Sequence, residues 1–219
     1  MEIKRAYKFR FYPTFEQETI LVQTFGCARF VYNRMLRIRS DAWYTEKKRI
    51  GYYATSFLLT ELKKRPEFEW LNKVSSVPVQ QSLRHLQTAF GNFFSKRTQY
   101  PSFKRKHEKQ SAEYTSSAFK WDGKSLKLAK MKDPLNIRWS RTLPKAAKLT
   151  TATVSKDSAG RCHVSMLCDD TGALKPKVSG KVGIDLGLTH FAILSTGESL
   201  RVLTDGIQAA NAARDVGIP

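Results

Sequence analysis

The chain has 219 residues, and its 38 lysines and arginines against 19 acids give a net charge of +19. This basic excess predicts a polyanionic partner, nucleic acid first, with a ribosomal or membrane-surface role as the alternative. The hydrophobic fraction of 41% allows a buried core in one or two domains. A membrane span and a secretory signal are excluded, because no apolar run approaches roughly 20 residues and residues 1–12 are basic and alternating.

The first predicted element is a strand over residues 2–11. Aromatic and basic side chains alternate there, with Phe9 and Phe11 on one face and Lys8 and Arg10 on the other. This alternation is typical of a strand with one buried and one exposed face.

A long helix is predicted next. Pro13 ends the strand, and the segment from Thr14 to Gln17 has the form of a capping box. Apolar residues then recur at helical spacing. They are Ile20, Leu21, Phe25, Ala28, Phe30, Val31, Met35 and Leu36.

Two further helices are predicted from proline positions. Residues 52–56 are interpreted as a loop and cap that lead into a short helix from Phe57 to Lys64, which Pro66 ends. Pro78, at a first-turn position, begins a third helix that runs to about Arg97.

A basic loop with interleaved aromatic residues follows from Lys96 to Lys109. Such a segment suits phosphate contacts and base stacking, and a solvated linker is the alternative.

The pattern then changes to strands, predicted at 114–121, 125–129, 148–154 and 162–167, with a hairpin turn at 157–160. One strand thus precedes the helices and several follow them. This order predicts a β-barrel interrupted by a helical insertion.

Three cysteines, Cys27, Cys162 and Cys168, form no Cys-x-x-Cys pair. The odd number and the spacing fit neither a zinc site nor a disulfide framework. We therefore expect reduced thiols in the core of a cytoplasmic protein.

The run from Gly180 to Gly197 predicts a hairpin around one acid. Val182, Ile184 and Leu186 alternate with Gly183, Asp185 and Gly187. Gly187 and Leu188 mark a reversal, and Phe191 to Leu194 form the returning strand. Because glycines flank Asp185, a metal ion or a phosphate could approach its carboxylate closely.

Several fragments in a fixed order resemble one family, the TnpB proteins, which are OrfB-type proteins of bacterial insertion sequences related to type V CRISPR effectors. The fragments are Tyr12-Pro13, Gln17, Gly26, Ala28 to Asn33, Gln80 to Leu83, Phe93-Phe94, Tyr100 to Lys104 and Gly183 to Gly187. The resemblance covers residues 1–197.

The resemblance implies an α+β fold. A wedge-like β-barrel would comprise residues 1–12 and 113–172, with an inserted helical recognition domain, helix-turn-helix-like, at 13–112. A linker at 173–180 would lead to residues 181–219, which contain the first β-hairpin of an RNase H-like (RuvC) domain and a tail.

The resemblance also implies a function. TnpB proteins are RNA-guided DNA endonucleases, so the implied partners are a guide RNA and double-stranded DNA, with no membrane partner and an oligomeric state left open. Asp185 matches the first RuvC acid, a catalytic Mg²⁺ ligand. Tyr52, Ser56 and Gln80 match positions that face the DNA duplex carrying the adjacent motif.

Other basic residues are expected to contact RNA or DNA backbones. They are Lys4, Lys8, Arg10, Arg29, Lys96, Arg97, Lys104, Arg105, Lys106 and Lys109. We expect a cytoplasmic, nucleoid-associated protein.

The match fails in the nuclease site, where the family's second acid, its third acid and its zinc element have no counterparts. Leu200 to Gly206 resembles the tail that follows the third acid; alternatively, Asn211 to Ala213 is the third motif, with Ala209 in place of the acid. Glu198, Asp205 and Asp215 are interpreted as solvated surface carboxylates. The chain is therefore expected to bind nucleic acid without cutting it alone.

Two alternatives remain from the sequence. One is a repressor that binds DNA, with or without a guide RNA, and has no catalytic activity. The other is an actin-like ATPase, since the segment from Gly183 to Gly187 also opens the phosphate-binding hairpin of that class.

Overall fold

The computed structural model describes residues 2–144, 148–171, 180–187 and 190–201. The chain divides into two compact units, Met1–Ala173 and Leu174–Pro219. Most of the predicted linker at 173–180, Leu188 of the predicted reversal, and the alternatives involving Asp205, Ala209, Asn211 to Ala213 and Asp215 lie outside the described residues.

The first unit contains the helices α1 (Phe15–Glu46), α2 (Tyr52–Lys64) and α3 (Ser76–Phe94). Its strands are β1 (Glu2–Tyr12), β2 (Gln110–Thr115), β3 (Phe119–Trp121), β4 (Leu126–Leu128), β5 (Asn136–Arg138), β6 (Lys148–Lys156) and β7 (Cys162–Thr171). The second unit contains β8 (Ile184–Asp185), β9 (His190–Leu194) and β10 (Ser199–Arg201). This composition confirms the α+β class.

The main sheet is antiparallel and has five strands in the order β2-β6-β7-β1-β5. β1 lies inside the sheet, paired with β7 from Glu2 to Arg10 and with β5 at its end. All three helices therefore interrupt a single sheet in sequence. The described ladders leave β2 and β5 as edges, so this is an open sheet and not the closed barrel predicted. The missed strand β5 has only three residues, Asn136–Arg138, too few to show a period.

Two predictions made from short sequence patterns near residue 1 are confirmed. The alternation in β1 is confirmed, because Phe9 and Phe11 are buried while Lys8 and Arg10 are exposed. The capping box at the start of α1 is also confirmed, since Thr14 Oγ1 accepts from the Gln17 backbone N–H at 3.3 Å.

Two helix boundaries were predicted wrongly. Residues 52–56 form the first turns of α2 and not a loop, because Gly51 takes the N-cap position and Thr55 and Leu59 bury one face of the helix. Helix α3 ends at Phe94, before Arg97, since Ser95 is its C-cap and Lys96 has a φ of 57°.

One predicted strand region also differs from the structure. The segment 114–121 is split by a 3-10 turn at Ser116–Ala118, where the Ala118 carbonyl accepts from the Ala129 N–H at 2.8 Å. The resulting hairpin of β3 and β4 buries Leu126 and Leu128.

Helix α1 contributes to two hydrophobic cores. Leu21 and Phe25, near its beginning, pack with buried residues of the sheet such as Phe9 and Tyr114. Val31 and the buried residues after it pack against α2 and α3, in a second core that includes Leu83. One continuous helix therefore joins the sheet to the helices.

The three cysteines are buried free thiols, as predicted. Burial raises the pKa of the Cys27 thiol to about 11, so this group stays protonated and unreactive near neutral pH. None of the helices in the described part of the chain is long and apolar enough to cross a membrane.

Gln17 fixes α1 to the loop before β5. Its side-chain Nε2 donates to the backbone carbonyls of Asp133 and Pro134 at 3.2 and 3.1 Å, and the residue is only 3% exposed. We expect Gln17→Ala to lower the free energy of unfolding by about 1–3 kcal/mol, because two hydrogen bonds of the buried Gln17 amide are lost. Urea denaturation followed by circular dichroism measures this.

The matched control is Gln23→Ala, which removes an exposed glutamine from the same helix. It should change stability by no more than about 0.5 kcal/mol. Equal effects of the two substitutions would contradict the anchoring role of Gln17.

Candidate nucleic-acid interface

Three residues singled out by the sequence form one hydrogen-bonded cluster. Gln80 Nε2 donates to the Tyr52 hydroxyl and to Ser56 Oγ, both at 2.8 Å. Tyr52 and Ser56 lie one turn apart at the start of α2, and Gln80 lies in the first turns of α3. All three are partly exposed. We call these residues the Gln80 cluster.

Buried residues of α2 and α3 fix the helix faces that carry the cluster. On α2, Thr55 and Leu59 are buried beside Tyr52 and Ser56; on α3, Val79 and Leu83 are buried on either side of Gln80. Because the buried and cluster residues alternate at helical spacing, packing of one face orients the other. The three polar side chains therefore need little reorganisation to meet a ligand.

The cluster offers a defined set of hydrogen-bonding groups. Both amide hydrogens of Gln80 are used inside it, so its carbonyl Oε1 is the group available to a ligand. The Tyr52 and Ser56 hydroxyls accept from Gln80 and can each donate outward. Since both hydroxyls can also donate inward, a 180° rotation of the carboxamide would present Nε2 to the ligand instead. Oε1 can accept from an amino group on a base edge, and Nε2 can donate to a base edge or to a phosphate.

One cation that was not predicted from the sequence lies next to the Gln80 cluster. The Arg84 guanidinium lies over the Tyr52 ring, 5.1 Å from its centroid, and Arg84 is exposed. Its position four residues after Gln80 on α3 is the signal that could have identified it. A positive charge suited to a phosphate therefore lies next to the cluster.

The predicted basic loop is folded against α1. Asn33 Nδ2 donates to the Lys104 carbonyl at 2.9 Å, and the Lys104 N–H donates to Asn33 Oδ1 at 2.8 Å. Farther along, Gln110 Nε2 donates to the carbonyls of Arg105, Lys106 and Glu108. These bonds give the loop a fixed backbone, unlike a solvated linker.

Several predicted phosphate contacts meet here. Arg29, Lys104, Arg105 and Lys109 line one cavity of about 250 Å³. Arg29 also donates to Gln110 Oε1, and it lines a second cavity of about 370 Å³ together with Lys106. The Lys104 ammonium lies 4.3 Å from the Tyr32 ring centroid, and burial lowers its pKa.

The other predicted cations lie on separate elements. Lys4, Lys8 and Arg10 are exposed on β1, while Lys96 and Arg97 are exposed beyond α3. The ten cations therefore belong to several surfaces of the first unit.

Asp185 has no acidic neighbours across its small sheet. In the second unit Asp185 pairs with Ile193, and Ile193 pairs with Ser199 on the far side. Within the described residues, no group of three or more His, Cys, Asp or Glu side chains is placed to hold a metal ion. A two-metal site needs several carboxylates around ions about 4 Å apart. The described residues therefore do not fit the expected Mg²⁺ site.

Comparisons with known proteins agree on one family. A profile described as a helix-turn-helix domain, of the OrfB IS605 type, matches residues 1–48. A protein of Streptomyces pristinaespiralis is 53% identical over 98% of this chain and 55% of its own length. InsQ of Escherichia coli K12 is 32% identical over 90% of this chain and 48% of its own length. Both are named "Putative RNA-guided DNA endonuclease".

Two more distant similarities complete the comparison. The virulence protein VsdF of Salmonella dublin is 35% identical over 48% of this chain and 96% of its own length. A chain of a CRISPR-Cas12f ternary complex matches 92% of this chain and 52% of its own, with a TM-score of 0.43 and 12% identity. The chain spans about half the length of the two endonuclease-named relatives.

The profile match and the structure describe residues 1–48 differently. This range contains β1 and the single helix α1, and the turn to α2 begins at its end. A pair of helices joined by a turn therefore requires α2 as well, which carries Tyr52 and Ser56.

The paired bonds between Asn33 and Lys104 give a direct test of loop anchoring. In Asn33→Ala we expect the Lys104 amide to exchange with deuterium about fivefold faster, because its hydrogen bond contributes on the order of 1 kcal/mol. Hydrogen exchange with mass spectrometry measures this. Gln99→Ala, which alters an exposed residue of the same loop, is the control and should leave the rate unchanged. An unchanged rate in Asn33→Ala would contradict the anchoring.

Proposed function

The chain belongs to the TnpB family of OrfB-type insertion-sequence proteins, and on that premise we propose that it binds a guide RNA and double-stranded DNA. The relatives' names support an RNA-guided role, and the net charge of +19 supports binding to polyanions. The Gln80 cluster is the proposed site where a short DNA motif is recognised.

The observation that carries this proposal is the geometry of the cluster. A glutamine held by two hydroxyls at 2.8 Å presents one oriented carbonyl oxygen, Oε1, to a ligand. In the major groove, such an acceptor would pair with the amino group of adenine or cytosine and so distinguish these bases from guanine and thymine. Arg84 and the outward hydroxyl hydrogens of Tyr52 and Ser56 would contact phosphates and set the register of the duplex.

The anchored basic loop is the proposed backbone contact for RNA or for the DNA strand. Arg29 and the lysines and arginines of the loop cover neighbouring cavities with positive charge. Because phosphate contacts are largely independent of sequence, this surface would contribute affinity, and the cluster would contribute selectivity.

We also propose roles for the two sheets. The open five-stranded sheet would correspond to the wedge domain of the family, and the sheet of β8, β9 and β10 to the beginning of an RNase H-like domain. In that arrangement Asp185 would be the first acid of a nuclease site. The 219 residues alone would bind nucleic acid but would not cleave it, since Asp185 has Ile193 and Ser199 as its neighbours across the sheet.

Gln80→Leu tests the proposed recognition. The measurement is fluorescence anisotropy, with the RNA that co-purifies with the chain and a duplex selected by the chain from a randomised library. We expect Gln80→Leu to weaken binding to the selected duplex roughly 3- to 10-fold, since the single hydrogen bond accepted by Oε1 is worth about 0.5–1.5 kcal/mol. Binding to a scrambled duplex should change less than about twofold.

The matched control is Gln81→Leu, which changes the next glutamine on α3. It should retain the preference for the selected duplex. If no specific RNA co-purifies and the preference persists without RNA, a guide-independent DNA-binding repressor replaces the proposal. If wild type shows no preference among duplexes, the recognition role of the cluster is wrong.

Asp185→Ala tests the proposed absence of cleavage. Wild type and variant are incubated with co-purified RNA, selected duplex and Mg²⁺, and products are resolved on a denaturing gel. We expect neither protein to cut, and both to bind the duplex equally, because a lone carboxylate cannot hold the metal pair. Cleavage by wild type that Asp185→Ala abolishes, and that Glu198→Ala retains, would overturn this proposal.

A further inference from the structure

The first unit has a cavity that the proposed function does not use. It has a volume of about 430 Å³ and lies between the end of α1, the loop that follows it and the end of α3. Its lining includes Trp43, Arg49, Phe94 and Tyr100. We call it the aromatic pocket. Its volume is within the range typical of small-ligand sites.

The floor of the aromatic pocket is rigidly built. The Arg39 guanidinium lies 3.9 Å from the Phe90 ring centroid and donates to Gln87 Oε1 at 3.0 Å. The Tyr100 hydroxyl is 2.7 Å from Ser40 Oγ, and its ring meets Phe93 edge-on at 5.2 Å between centroids. These contacts hold the floor in place before any ligand arrives.

The upper walls are aromatic rings left open to solvent. Trp43 is 42% exposed and Phe94 is 64% exposed. The Arg49 guanidinium lies over both rings, 5.7 Å from the Trp43 centroid and 6.0 Å from the Phe94 centroid. A flat cation thus occupies the position where another flat group could stack.

A helix cap fixes the loop that carries Arg49. The Lys47 N–H donates to the Trp43 carbonyl, and the Lys48 N–H donates to the Ala42 carbonyl, both at 3.1 Å. Lys47 adopts a left-handed φ of 54° to allow this reversal. The cap therefore directs Lys48 and Arg49 back toward the pocket, which both residues line.

Charge decides which kind of ligand fits. The charged residues that line the pocket, among those described, are Arg39, Lys48 and Arg49, all positive. An uncharged apolar ligand would leave these cations unused, and an acidic peptide would leave the exposed faces of Trp43 and Phe94 unused. A nucleotide uses both, because its base has a flat π-face and its phosphate is an anion.

We propose that the aromatic pocket binds one nucleotide of a single-stranded nucleic acid. The base would stack on Trp43 or Phe94 in the place of the Arg49 guanidinium, and Arg49 and Lys48 would move to the phosphate. A single strand is required because the bases of a duplex already stack on each other.

The position of the pocket supports this ligand, and here the inference rests on the proposed function. Gly51 lines the pocket, and the next residue, Tyr52, belongs to the Gln80 cluster. The pocket and the cluster are thus joined through two consecutive residues, and a strand bound at one would extend toward the other.

The test compares two neighbouring aromatic residues on α1. Trp43→Ala removes a wall of the pocket, whereas Tyr44→Ala removes a more exposed ring that does not line it. Fluorescence anisotropy with a labelled ten-nucleotide dT oligomer measures single-strand affinity. We expect Trp43→Ala to weaken it about 5- to 100-fold and Tyr44→Ala less than about twofold. The same oligomer as RNA shows which strand type the pocket prefers.

A second measurement covers the case in which Trp43→Ala does not fold. A 5-iodouridine-substituted oligomer is irradiated with wild type, and the crosslinked peptide is mapped by mass spectrometry. Crosslinking at Trp43, Phe94 or Tyr100 supports the proposal, and crosslinking only elsewhere overturns it. Equal oligomer affinity of wild type and Trp43→Ala also overturns the proposal. The same holds if Trp43→Ala binds the oligomer normally but sediments differently from wild type in analytical ultracentrifugation, because Trp43 would then belong to a protein contact.

The outcome separates this inference from the proposed function. If wild type prefers its selected duplex but Trp43→Ala binds the oligomer normally, only the pocket proposal fails. If wild type has no duplex preference and yet binds the oligomer through Trp43, the pocket stands and the recognition role of the Gln80 cluster fails.

Discussion

The structure of the first unit depends on one helix that belongs to two hydrophobic cores. Helix α1 has 32 residues and is therefore about 48 Å long at about 1.5 Å per residue. Leu21 and Phe25 pack in the core of the sheet, and Val31 and Leu36 pack in the core of the helices. Because a helix of regular geometry fixes the rotation between these two stretches, the register of α1 sets how the sheet and the helices are oriented.

This constraint also orders the polar surfaces. Asn33 and Arg29, on the exposed side of α1, hold the basic loop, while α2 and α3 pack on the buried side and carry the Gln80 cluster. Trp43 extends the same helix to the aromatic pocket. Under the proposals above, a nucleic acid would contact the basic loop, the Gln80 cluster and the aromatic pocket. Because α1 fixes the relative positions of all three, less entropy would be lost on binding.

The sequence predicted features that depend on neighbouring residues. The capping box at Thr14 and the alternation in β1 were found because their signals span only a few positions. Residues 52–56 were predicted to be a loop and cap. Aromatic and β-branched residues favour helices only weakly, but the burial of Thr55 and Leu59 on one face of α2 outweighs that preference. The Gln80 cluster residues were chosen through family resemblance, but their mutual hydrogen bonds could not be predicted from residue types.

The aromatic pocket left no signal in the sequence for a different reason. Trp43, Arg49 and Phe94 come from two helices and a loop, and no short-range pattern connects them. What brings them together is the left-handed cap at Lys47 and the packing of α3 on α1. A lysine at position 47 does not predict this left-handed backbone conformation, because glycine is the residue usually found there.

Binding and cutting place different demands on a chain of this kind. The affinity for phosphates is the sum of contributions from many cations, which need not lie close together. It is therefore compatible with the positions of Lys8, Lys96 and Lys104 on separate elements. Metal-dependent cleavage requires carboxylates that converge within a few ångströms, and Asp185 instead has Ile193 and Ser199 as its neighbours in the sheet. Under the proposed function, the described residues therefore meet the first demand, and Asp185 by itself among them does not meet the second.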